Sequence, residues 1–108
     1  MFVLVNKYLI LGRFDGVVLW PFIFLRRPGL KNNKEFMNHE RVHLRQQKEM
    51  LVVFFYIWYL VEFFLRYLEF DNSYEAYRNI SFEREAYSNE DKLDYLENRK
   101  AWAFLKYL

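Results

Sequence analysis

The chain has no cysteine, and its 108 residues include only two histidines. The first absence excludes a disulfide scaffold, a thiolate metal site and a cysteine nucleophile, without fixing the redox compartment. Any metal site must use imidazole and carboxylate. Helix breakers are equally scarce. Gly12, Gly16, Gly29, Pro21 and Pro28 all lie within the first 29 residues, so Leu30 to Leu108 contains none. The net charge is only +2 and no Lys/Arg block stands out, so nucleic acid is not an expected partner. The stretch Met1 to Lys7 shows neither a basic n-region nor a cleavable small-residue site, and a cytoplasmic location is the expectation. No apolar run is long enough to demand a membrane span. The longest, Met50 to Val61, is followed by Glu62, Arg66 and Glu69, which favours a buried core helix over a membrane-seated one. Peripheral membrane association stays open as the alternative.

What the sequence does have is apolar and aromatic bulk. At 54% hydrophobic and 22% aromatic it can bury a core without disulfides, and its length fits one domain spanning 1–108. The breakers divide it near Pro28-Gly29 into strands and turns (1–29) and a helical remainder (30–108). Val3, Val5, Val17, Val18 and Ile23 predict two strands joined through Gly12 to Gly16 as a hairpin-like connection. The second strand, Val17 to Arg26, contains Pro21 and should therefore be an edge or bulged strand, where an extended peptide can add. Lys34 to Phe70 reads as helix, but a continuous one would reach about 55 Å, far more than a domain with a radius of gyration of about 13 Å accommodates. A break is expected around Met50 to Phe54. Asp71-Asn72-Ser73 reads as a turn and cap before a helix to about Ser88, and Asn89-Glu90-Asp91 as the cap of a last helix towards Leu105. The fold expected is α+β: a small N-terminal sheet with an edge strand, packed on about four helices.

One pattern carries chemistry. His39-Glu40-Arg41-Val42-His43 is an HExxH sequence inside a helical stretch, and it uses both histidines. On a helix the two imidazoles stand one turn apart, about 40° around the axis, so both can reach one ion while Glu40 flanks it as a general base. With no cysteine or further histidine, the third ligand must be Asp or Glu. The candidates lie in Ser81 to Glu90. If Ser73 to Ser88 is one helix, Arg78, Glu85 and Asn89 share a face and Glu83 points elsewhere, which selects Glu85 as ligand with Asn89 as a hydrogen-bonding partner for a ligating histidine. Arg78, Tyr74 and Tyr77 are candidates for stabilising an oxyanion or contacting substrate. The aromatic stripe from Phe54 to Phe70 reads as core packing, as do Trp102 and Phe104. The apolar segment Trp102 to Leu108 must dock somewhere and is a candidate plug for the cleft.

The HExxH helix followed by a helix carrying Glu85-Ala86-Tyr87-Ser88-Asn89 resembles the gluzincin branch of zinc metallopeptidases, whose third ligand is a glutamate on a downstream helix. His39 to Glu49 and Ile80 to Glu90 also resemble small uncharacterised bacterial proteins of this kind, over roughly half the chain. The resemblance implies a minimal zincin-like core, a bound Zn2+, hydrolysis of a peptide or protein substrate, and an acid one turn beyond the ligand, where Asn89 stands instead. The alternative is a non-catalytic, zinc-stabilised binding or structural protein. Two imidazoles and a carboxylate also accept cobalt, nickel or iron.

Overall fold

The computed structural model describes all residues except Leu9, Leu11, Gly12 and Arg13. Part of the predicted connection through Gly12 to Gly16 thus lies outside the described residues. Three short strands form the sheet: β1 (Phe2–Val5), β2 (Gly16–Leu19) and β3 (Phe22–Leu25), in the order β1-β3-β2. The predicted strand Val17 to Arg26 is two strands, because the chain reverses at Trp20-Pro21. Pro21, which has no N–H to give, sits in the turn and accepts from Phe2 N at 2.9 Å. β2 pairs antiparallel with β3 (Gly16 opposite Leu25), while β1 pairs parallel with β3 (Phe2 opposite Phe22) rather than forming a hairpin with its successor. Ile23 and Leu25 of the central strand are fully buried, packing with Val18, Leu30, Met37 and Leu44.

Five helices follow the sheet: α1 (Lys34–Glu49), α2 (Leu51–Phe70), α3 (Ser73–Arg78), α4 (Ser81–Asn89) and α5 (Tyr95–Asn98). Asn33 caps α1, its side chain accepting from Phe36 N at 3.0 Å. The break in the long helical stretch falls at Met50-Leu51, within the expected window, where Leu51 takes a left-handed conformation (φ 54°). A second break was not expected. The stretch after Asn72, which caps Glu75 N, stops at Asn79-Ile80, and α4 starts afresh at Ser81. Its first turn is capped from outside. The carboxylate of Glu62 in α2 accepts from both Ser81 N and Ser81 Oγ, a negative charge at a helix N-terminus.

The predicted last helix towards Leu105 is only the short α5, followed by a 3-10 turn at Ala103–Tyr107. That turn drives Phe104 into a second core, its ring 4.5 Å from Phe82 and 5.3 Å from Trp58. The C-terminal segment thus docks on the domain through Ala103 and Phe104 rather than as a plug, while Trp102, expected in the core, stays partly exposed with Leu105 and Leu108.

α2 departs most from expectation. Its inner side packs Phe55, Tyr56, Trp58, Tyr59 and Phe63 on this second core, but only Phe55 and Glu62 are buried. Val53, Phe54, Ile57, Leu60, Val61, Phe64, Leu65 and Leu68 are each more than half exposed. At 100° per residue they fill an arc of about 140° that contains no charged residue. The helix is a wall of the domain rather than its buried centre.

Candidate metal centre

α1 packs against both β2 and α4, and the residues facing inward between them are polar: Asn38, His39, Glu40, His43, Gln46 and Gln47 are all buried. Burial of so many polar groups is tolerable only if each is partnered. His39 Nδ1 lies 2.8 Å from Glu90 Oε2, and His43 Nδ1 lies 2.8 Å from Gln46 Oε1. The Gln46 orientation is fixed, because its Nε2 donates to Phe82 O at 3.1 Å and to Glu85 Oε1 at 2.9 Å. Each Nδ1 thus donates to an oxygen, and each neutral imidazole presents its Nε2 as a lone pair.

Those two Nε2 atoms stand 3.1 Å apart, and Glu83 Oε1 lies 3.2 Å from His39 Nε2 and 3.0 Å from His43 Nε2. Three acceptors in a triangle of this size repel unless a cation or a proton lies among them. The edges suit ligand bonds of about 2.0–2.2 Å to one ion. The other carboxylate oxygen of Glu83 accepts from Tyr59 at 2.9 Å, which leaves Oε1 free to face the imidazoles. His39, His43 and Glu83 are the metal-competent cluster among the described residues.

The electrostatics of the cluster makes the same demand for positive charge. Burial opposes protonation of His43, but the Glu83 carboxylate outweighs it and lifts the imidazole to about 9. Burial likewise works against the Glu83 charge, yet a charged His43 and the close approach of both imidazoles hold its carboxyl well below the usual range. Glu40 behaves oppositely. Burial raises its carboxyl, the two histidines pull it down, and Glu83 and Glu90 add to the rise.

A small cavity of about 170 Å³ opens on this cluster, walled by Gly16, Val17 and Val18 of β2, by Gln47, Phe55, Tyr56 and Tyr59, and by Tyr77. Beside it a wider cleft of about 670 Å³ shares His39, Glu40, Gly16 and Tyr77 and extends over Phe36, Phe63, Tyr74 and Tyr87 to Glu90. Glu40 lines both spaces. Gly16 is required there: a Cβ at this position would stand 2.8 Å from the Phe36 ring and 3.5 Å from the Glu40 carboxyl carbon.

Several expected site residues lie elsewhere. Glu85 does not face the imidazoles. It accepts from Tyr95 at 2.6 Å, from Gln46 and from the buried Arg99 guanidinium, which also reaches Glu49 at 2.7 Å. The reason is the break at Asn79-Ile80, which resets the helical phase, so a face counted from Arg78 does not continue into α4. Asn89 donates to Glu85 O and to the Tyr107 hydroxyl, not to a histidine. Its neighbour Glu90 holds His39 instead. Asn38 places it there, because its amide donates to the carbonyls of Asn89, Glu90 and Lys92 at the end of α4.

Of the three oxyanion candidates, Tyr77 lines the inner cavity and pairs with the Tyr87 hydroxyl at 2.8 Å. Tyr74 lines only the wider cleft, and Arg78 stacks on the Tyr87 ring at 3.7 Å. The β2 edge next to the cavity is partly taken. Val18 O accepts from Gln47 Nε2 and the Tyr56 hydroxyl, and Trp20 N donates to Gln47 Oε1. An extended ligand would find only the Gly16 end of that edge open.

No protein-family model, curated protein or solved structure matches the chain. Its chemistry has to be argued from geometry. Glu83, Gln46, Glu90, Asn38 and Tyr59 are the site residues that sequence reasoning missed. The only signal for Glu83 was its acidic type within the right helix.

Proposed function

We propose that the protein is a zinc-dependent hydrolase of peptide bonds, with His39, His43 and Glu83 as the metal ligands and Glu40 as the general base. The reading rests on one observation: two imidazole Nε2 atoms and one carboxylate oxygen, mutually 3.0–3.2 Å apart, meet in a cavity that Glu40 also lines. A bound zinc ion would supply Lewis acidity, polarising a substrate carbonyl and lowering the pKa of solvent. The chain supplies the rest. Gln46 and Glu90 hold the imidazoles in the ligating tautomer. Glu40, its carboxyl raised by burial, is suited to take a proton from the attacking water and deliver it to the leaving amine. Tyr77 is the hydroxyl in the inner cavity best suited to donate to the developing oxyanion. The aromatic walls of the wider cleft, with the open Gly16 end of β2, suit an extended apolar peptide.

The test is metal content and hydrolysis measured together on the purified chain. Wild type is expected to hold one zinc and cleave a quenched-fluorescence peptide library. Glu83→Ala should lose the metal, whereas Glu85→Ala should retain at least part of it. Glu40→Gln should keep zinc and lose hydrolysis by at least about 100-fold. Retained turnover in Glu40→Gln would remove the assigned base. Stoichiometric zinc in folded Glu83→Ala would remove the assigned ligand, whereas zinc in wild type that Glu83→Ala loses, with no hydrolysis by wild type, would favour the non-catalytic alternative.

A further inference from the structure

We propose that the protein sits on a lipid bilayer, with the outer arc of α2 lying in the plane of the membrane interface and inserted into the acyl boundary. The arc is an anomaly of the surface, eight adjoining apolar side chains each more than half exposed. Soluble monomers rarely expose a contiguous apolar patch beyond a few hundred Å². α2 has the length and composition of a helix able to cross a membrane, with a mean hydropathy of 1.7, yet only 11% of that stretch is buried. Crossing is excluded by its other side, which carries the core contacts of the domain and the buried Glu62 cap. A helix fixed in this way can present one side to lipid and the other to its own protein.

Four further observations favour lipid over a second copy of the chain. The arc offers no side-chain polar atom, whereas interfaces between soluble copies carry about one hydrogen bond per 100–200 Å² and favour Tyr and Arg anchors. Helical backbone, already satisfied internally, is what lipid tolerates. Two partly exposed tryptophans connect, each through one intermediate residue, to Tyr56 and Trp58, which border the arc on its two sides. Trp20 lies beside Gln47, whose side chain reaches the Tyr56 hydroxyl, and Trp102 packs on Phe104 against Trp58. Indole rings in that position suit the headgroup level. Finally, Lys48 stands in the last turn of α1, just ahead of the break that leads into α2, and Lys100 and Lys106 bracket Trp102 in the sequence. All three are exposed, and among the described residues none forms an ion pair. Anionic headgroups complement them.

Flotation of the full chain with phosphatidylcholine/phosphatidylglycerol vesicles, and with phosphatidylcholine alone, tests this. Wild type should float with both and more strongly with the anionic lipid. A variant carrying Ile57→Gln, Val61→Gln and Phe64→Gln should stay behind while keeping the helical circular dichroism and zinc content of wild type. Lys48→Glu, Lys100→Glu and Lys106→Glu should each weaken binding to the anionic vesicles alone, by about 5-fold. A wild-type chain that fails to float, including one that sediments as a dimer without lipid, would overturn the proposal, as would undiminished flotation of the glutamine variant. Since flotation needs neither metal nor turnover, its failure is separable from failure of the hydrolase reading.

Discussion

The contact between α1 and α4 and the outer arc of α2 invert the usual distribution of polarity. Between α1 and α4 the buried side chains include two histidines, three glutamates, two glutamines and two asparagines, whereas the exposed arc of α2 is wholly apolar. The polar interior persists because nearly every group is partnered, and a half-satisfied network would be worse than an apolar core. The apolar exterior persists because an isolated helix side costs nothing in unmade hydrogen bonds. A buried substitution is therefore costly through the partner it strands, while a substitution on the arc strands nothing.

Substitutions that sharpen this contrast span a range of sizes. The largest loss is expected from Arg99→Ala, which leaves the buried Glu85 carboxylate and Glu49 without their guanidinium. It should lower the unfolding free energy by about 3–5 kcal/mol in urea titrations. Gly16→Ala comes next, at about 1–3 kcal/mol, because the added methyl must displace the Phe36 ring. Its chemical-denaturation midpoint should fall even in metal-free protein. Gln46→Ala frees His43 Nδ1 and should weaken zinc binding by about 10–100-fold in competition with a chelator. Smallest is Val61→Thr on the arc, expected within about 0.5 kcal/mol of wild type in lipid-free buffer. A large loss there would mean that the arc is covered even without lipid.

Much of the architecture was legible because breakers and caps are local. The division near Pro28-Gly29 and the cap at Asn72 follow from a few adjacent residues, and the break at Met50-Leu51 from the excessive length of the helical stretch. What failed depended on distance along the chain. The parallel pairing of β1 with β3 is a long-range choice that strand composition does not encode. The interruption at Asn79-Ile80 has no glycine or proline to mark it, and it exchanged Glu85 for Glu83 beside the histidines. Both carboxylates are of the right type and only two residues apart, so they face opposite ways on a helix. Both meet side chains of α1, but which one reaches the imidazoles depends on Arg99, sixteen positions beyond Glu83, claiming the other. The exposure of α2 was equally hidden, since an apolar helix reads alike whether protein or lipid covers it.

The carboxylate of Glu62 has a mechanical consequence. It joins α2 to the first turn of α4 two residues before Glu83, and Tyr59, one turn earlier on α2, grips the Glu83 side chain itself. Any force that tilts or slides α2 is passed through these two struts to the third corner of the imidazole–carboxylate triangle, so the outer wall of the molecule and the reach of that buried acid form one linkage.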